Sequence, residues 1–135
     1  MHKSKYKKLS GSSYTEVYKQ ARLVYKVLEK KTKRRPYIKS VYFGKQKVFF
    51  DYYWVHLRYS RGYKERMRRL VYFEASLDVI RNSRICYSKI PNRNNRSEVL
   101  YRFLGTTKDN FVFYVQIKED LKTGRKYFMS CFPKN

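Results

Sequence analysis

Few residues in this chain can carry chemistry at neutral pH, and they fall into two groups. His56 is the one histidine outside the N-terminal tail, and an imidazole that titrates near neutrality can take up or release a proton. Arg102, Gln116, Lys118 and Ser130 form the second group and come from segments with strand-like alternation. An arginine and a lysine can hold a phosphate and offset the charge that develops on it, while an amide and a hydroxyl orient the ligand. Each group also has a plainer reading. His56 beside Tyr53, Trp54 and Leu57 describes a packed structural histidine equally well, and the four strand residues describe an ordinary solvated sheet face. His2 lies in the tail and is assigned no role.

The ten Asp and Glu are scattered, and none of them cluster as magnesium ligands would. Cys86 and Cys131 stand in unrelated contexts, with neither zinc spacing nor a disulfide framework, which predicts a reducing cytoplasm. Walker, dinucleotide-binding and protease motifs are absent, so no metal and no cofactor are expected. An enzyme built from what remains would use positive charge to stabilise a phosphorane-like transition state. Cleavage through the neighbouring ribose 2′-hydroxyl needs no metal and works only on RNA.

Charge points the same way. The chain sets 33 Lys and Arg against 10 Asp and Glu, for a formal net charge of +23 over 135 residues. Such a surface attracts polyanions, because each neutralised phosphate releases counterions. Aromatics reach 19%, with fifteen tyrosines, so this is a folded domain with a core and not a basic tail. Tyr mixed with Lys and Arg suits RNA, whose bases stack on rings while its phosphates pair with cations. The basic N-terminus lacks the apolar run of a signal peptide, and no stretch is apolar enough to span a bilayer. A soluble protein without a membrane partner is expected.

The elements that must position these groups can be read in order. Residues 1–12 read as a flexible basic arm, and residues 13–135 as one α+β domain. Ser13-Tyr14-Thr15-Glu16 is a capping box, and Val17, Ala21, Val24, Tyr25 and Leu28 follow at helical spacing. This N-terminal helix ends by Pro36, and Lys30, Lys31, Lys33, Arg34 and Arg35 gather at its C-terminal end as candidate nucleic-acid contacts. Residues 37–51 read as a strand or a hairpin bent at Gly44. A short aromatic helix is expected over 52–59, interrupted at Arg61-Gly62, then a longer one over about 63–82. That helix carries Lys64, Arg66, Arg68 and Arg69 as further nucleic-acid contacts. Residues 83–97 read as a loop. Period-two alternation then predicts strands at 98–104, 111–118 and 126–132, with Phe111, Phe113, Val115 and Ile117 on the core face.

Several of these runs resemble a known superfamily. They are Arg102-Phe103-Leu104-Gly105-Thr106-Thr107, residues 113–119, and residues 126–133; upstream, Val48-Phe49-Phe50-Asp51, Trp54-Val55-His56-Leu57, residues 66–70 and Ile80-Arg81-Asn82-Ser83. Together they look like the barnase, EndoU, colicin and RelE-like nucleases, in the branch carried by phages and mobile elements, over residues 41–133. The resemblance implies N-terminal helices packed on a C-terminal antiparallel meander of about four strands. It also implies a sheet face that cleaves RNA without a metal, in a toxin held by an acidic inhibitor protein. His56, Arg102, Gln116, Lys118 and Ser130 fall inside the matching runs. Relatives often carry His where this chain has Tyr101, which leaves His56 or Tyr101 to move protons. The N-terminal helix lies outside the resemblance and would grip RNA or a partner. A non-catalytic RNA-binding protein, or a subunit of a ribonucleoprotein, is the alternative.

Overall fold

The computed structural model describes residues 1–59 and 62–134. Among them the chain forms four helices and a seven-stranded mixed sheet. The order is β1 (His2–Lys3), α1 (Tyr14–Thr32), β2 (Tyr37–Ser40), β3 (Gln46–Phe49), α2 (Tyr53–Tyr59), α3 (Tyr63–Leu70), α4 (Phe73–Asn82), β4 (Ser88–Asn92), β5 (Asn95–Thr106), β6 (Val112–Asp120) and β7 (Lys126–Pro133). The α+β class is as expected, but a four-stranded antiparallel meander of the barnase or RelE kind is not what forms. The β5-β6-β7 meander is present, but β3 adds to β7 in parallel, β1 adds to β5 in parallel, and β4 pairs antiparallel with β5.

The added strands explain the difference. β2 and β3 are the two arms of the hairpin around Gly44, where Gly44 and Lys45 take positive φ. β4 reads Ser-Lys-Ile-Pro-Asn, too polar and too short to show alternation, and its turn at Arg93-Asn94 hides the first residues of β5. β1 has two residues and no pattern at all. Phe111, expected in the core, stands before β6 and is exposed with the Lys8 ammonium 3.4 Å from its ring centre. The break expected at Arg61-Gly62 falls partly outside the described residues; Gly62 is the residue before α3.

α1 starts where its sequence dictates. The Ser13 hydroxyl accepts from the Glu16 N–H at 3.3 Å, and Glu16 reaches back to the Ser12 N–H at 2.7 Å. Replacing Ser13 with alanine should cost about 1 kcal/mol, read as a shift in the denaturation midpoint. Val17, Ala21, Tyr25 and Leu28 form its buried face. The helix expected over 63–82 is two helices. The break at Val71-Tyr72 lets Tyr72 stack on Phe113 while Leu70 and Phe73 also stay buried. The freed Val71 carbonyl accepts from the Leu9 N–H at 2.8 Å.

That bond belongs to a wider attachment of the basic arm. His2 and Lys3 pair with Gly105 and Thr106, and the Ser4 N–H reaches the Thr106 carbonyl. The buried Asp78 carboxylate accepts from the Lys5 N–H at 2.9 Å and from Asn82 at 2.6 Å, with His2 Nε2 at 3.4 Å. Burial pushes the Asp78 pKa up, but the hydrogen bonds from Lys5, Asn82 and Ser4, with the His2 charge, outweigh it and leave it lowered. The arm's hold is therefore full above the ordinary aspartate range and weakens as pH falls through the lowered value. We predict that Asp78→Ala costs about 1–3 kcal/mol and exposes residues 2–9 to amide exchange and proteolysis while the β5–β7 amides stay protected.

Candidate nucleic-acid interface and catalytic recess

Register decides which side chains share the open face of the sheet. Arg102 pairs with Gln116, and Gln116 with Ser130, so these three lie in a row across β5, β6 and β7. Lys118 pairs with Leu100 and with Tyr127 on the same face. Strict alternation along β7 would set Ser130 and Phe128 on one side. A bulge at Met129 intervenes, where Gln116 is opposite Ser130 while the next residue, Ile117, is opposite Phe128. Phe128 and Cys131 therefore both enter the core, while Tyr127, Ser130 and Phe132 lie on the opposite face, where Tyr127 and Ser130 are covered by their neighbours and only 6% and 7% exposed.

The open face carries cations and rings in alternation. On β2 and β3, Lys47 lies over the Tyr37 ring at 4.5 Å and Arg35 over Phe49 at 4.1 Å. At the β7 position, Tyr52 and Tyr127 meet edge to face at 4.8 Å, with Lys118 at 4.5 Å from Tyr52. Farther along, Arg69 and Arg102 flank Phe132 at 5.3 and 5.2 Å, and Tyr114 follows at 5.4 Å with Tyr87 beyond it. Some of these cations are partly neutralised. Arg35 pairs with Asp51 at 2.6 Å and Lys118 with Glu98 at 3.2 Å. Arg102 donates to Gln116 Oε1 at 3.1 Å, and among the described residues no carboxylate pairs with it.

The margin of this face is set by how β3 ends. Only Val48 and Phe49 pair with β7, so the rest of that edge is open to α2 and α3, which pack along it. Tyr53 and Leu57 anchor α2 in the core, and Tyr53 stacks on Phe128 at 4.5 Å. His56, one residue from Leu57, is left exposed at the sheet margin and is not the packed histidine its neighbours suggested. His56, Arg69, Met129 and Ser130 line a small recess. Arg69 is held by Glu65 through Nε at 3.0 Å and extends Nη1 to within 3.4 Å of Ser130 Oγ. Partial desolvation lowers the His56 pKa below its ordinary value, and the positive charges of Arg69 and Lys118 lower it further. Both effects favour the neutral imidazole, the form able to accept a proton.

Tyr101 does not belong to this group. It is buried on the core face, and its hydroxyl donates to Glu119 Oε1 at 2.7 Å. Burial, then that bond and the Glu119 charge, push its pKa far up, so its role as a stand-in for His56 is set aside. Of the expected helix cations, Arg69 enters the recess. Arg66 lies over the Tyr63 ring and Arg68 pairs with Glu65, both away from it. Lys64 is exposed at the start of α3, and Lys30, Lys31, Lys33 and Arg34 are grouped about the end of α1. The aromatic partners Tyr37, Phe49, Tyr52, Tyr127 and Phe132 went unassigned in the sequence. The pairing of alternate residues in the 37–49 hairpin was the signal that could have found the first two.

Among the described residues no three His, Cys, Asp or Glu side chains come together as a metal site, and no helix is long and apolar enough to cross a membrane. No protein-family profile, curated protein or solved structure matches the chain.

Proposed function

We propose that the open sheet face binds single-stranded RNA and that the recess at its margin cleaves the bound strand without a metal. The alternation of cations and rings supports the binding half. Bases stack on aromatic faces at about 1–3 kcal/mol each, and the interleaved Lys and Arg neutralise the backbone. Tyr52 and Tyr87 are the exposed rings of the track, while Tyr37, Phe49, Tyr114 and Phe132 are half-buried. The row from β2 to β4 crosses five inter-strand steps, a track of about 24 Å at ~4.8 Å per step. That length suits a short single strand and not a duplex, whose bases are closed to the sheet.

The observation carrying the catalytic half is His56 beside Arg69 and Ser130 with its pKa lowered. Neutral His56 takes the proton from a ribose 2′-hydroxyl, and the oxygen attacks the adjacent phosphorus. The bond from phosphorus to the 5′-oxygen breaks, leaving a 2′,3′-cyclic phosphate on one product. The departing 5′-oxygen takes a proton from water. Arg69 and Arg102 offset the charge gathered on the phosphoryl oxygens, with Lys118 close by, and Gln116 and Ser130 orient the strand.

The direct test is incubation of folded protein with single-stranded RNA in EDTA. Expected are 2′,3′-cyclic phosphate ends and no cleavage of DNA of the same sequence. Intact RNA across ribosomal, transfer and messenger substrates would remove the catalytic half. The binding half would then stand as a non-catalytic RNA-binding protein, with affinity falling gradually as each open-face cation is removed.

A further inference from the structure

The face of α1 turned away from the sheet has a property that RNA binding does not use. Leu23 and Val27 lie one turn apart and are 57% and 54% exposed. With Val24 and Leu28 they form one wall of an apolar groove of about 340 Å³, and Leu77 of α4 forms the other. Tyr6 of the docked arm lines the groove too, so attachment of the arm completes it. Lys31 and Arg81 stand at its rim. A second, shallower depression shares Leu23 and is lined by Lys19, Arg22 and Lys26. The one acid lining the groove is Glu74, against the five cations of the two depressions.

We infer that this groove, between Leu23/Val27 of α1 and Leu77/Arg81 of α4, docks an amphipathic helix of an acidic partner protein. The walls carry side chains at i and i+4 on two neighbouring helices, and a third helix packs into such ridges by its own i, i+4 rows. The cations on both sides select an occupant whose flanks are Asp and Glu. A chain of net charge +23 repels its own copy. A lipid surface favours an outward-curving apolar face, and this one is concave. RNA has no use for an aliphatic floor. The groove lies on the helical side of the sheet, so its occupant would leave the open face accessible.

The test uses the full chain and a fluorescent designed peptide with leucines at i, i+4, i+7 and glutamates on its flanks. The control is a scrambled peptide of the same composition. The ordered peptide should bind at least tenfold more tightly than the scramble. Leu23→Glu should abolish that advantage, and Arg81→Glu should weaken binding of the ordered peptide several-fold. Both side chains are exposed, and circular dichroism checks that each variant keeps its fold. Equal binding of the two peptides would overturn the inference, because charge alone would then explain it. It is likewise overturned if Leu23→Glu leaves ordered-peptide binding unchanged. Loss in Leu23→Glu of self-association seen by sedimentation, of binding to phosphatidylserine vesicles, or of RNA affinity would assign the groove to a second copy, a membrane or RNA instead. RNA cleavage should be the same in Leu23→Glu as in the parent chain, so a failed ribonuclease assay and a failed peptide assay are separate results.

Discussion

His56→Ala should lower the rate of RNA cleavage by about 10²–10⁴-fold, the usual worth of a positioned acid or base, and leave RNA affinity within about twofold. The split follows from geometry. His56 stands at the margin of the open face and forms none of its cation–ring contacts, so the binding track survives its loss. Arg102→Ala should behave differently, weakening both binding and cleavage, because its guanidinium lies within 5.9 Å of the Tyr114 ring centre and 5.2 Å of the Phe132 ring centre. Single-turnover cleavage and fluorescence anisotropy on one oligonucleotide measure the two effects separately. A His56→Ala protein that cleaves at the parental rate removes His56 from the mechanism, whatever the binding result.

The pH dependence gives the same assignment an independent check. Base catalysis needs the neutral imidazole, so the rate rises with pH through the His56 pKa and levels above it. That pKa lies below the ordinary histidine value, through desolvation first and then the charges of Arg69 and Lys118. The rising limb should therefore sit on the acid side of the ordinary value. Lys118→Met removes one of those charges and should move the limb toward higher pH. The linkage to folding has a definite sign as well. Between the lowered folded value and the ordinary unfolded one, the unfolded chain binds more protons. His56 therefore makes the protein less stable as pH falls through that window.

The sequence made the helical start at Ser13, the hairpin at Gly44 and the three long meander strands readable, because a cap, a glycine turn and period-two alternation each act within a few residues. It also placed Arg102, Gln116 and Lys118 together, since two regular strands on one antiparallel hairpin keep their phase. Alternation puts Ser130 with them as well. What it does not show is the Met129 bulge, which turns Phe128 into the core beside Cys131 and Tyr127 onto the open face. The parallel additions of β1 and β3 depend on pairing across more than seventy residues and leave no local trace. Arg69 was read as one cation among several on its helix. Only the break at Val71-Tyr72 and the docking of α3 on the β7 edge bring it to Ser130.

Phe128→Ala should be the most destabilising single change in the chain, at about 3–5 kcal/mol for an aromatic truncated in a packed core. Phe128 is fully buried, stacked on Tyr53 at 4.5 Å with an interplanar angle of 10°, and packed edge-on against Phe50 at 5.5 Å. Tyr53 in turn touches Phe73 and Trp54, so one cavity would loosen the seat of α2 and the start of α4 together. That seat is what holds His56 at the sheet margin. A domain of this size has only about 5–15 kcal/mol to lose, so urea denaturation should show a large fall in midpoint. Phe128→Leu, which leaves most of the volume filled, should recover more than half of the loss. Cleavage by Phe128→Leu, measured where the variant is fully folded, should fall more than its RNA affinity does. The open-face ladder belongs to the opposite side of β7, whereas the position of His56 depends on the stack beneath it. Equal falls in cleavage and affinity would show that α2 is held by something other than this aromatic contact.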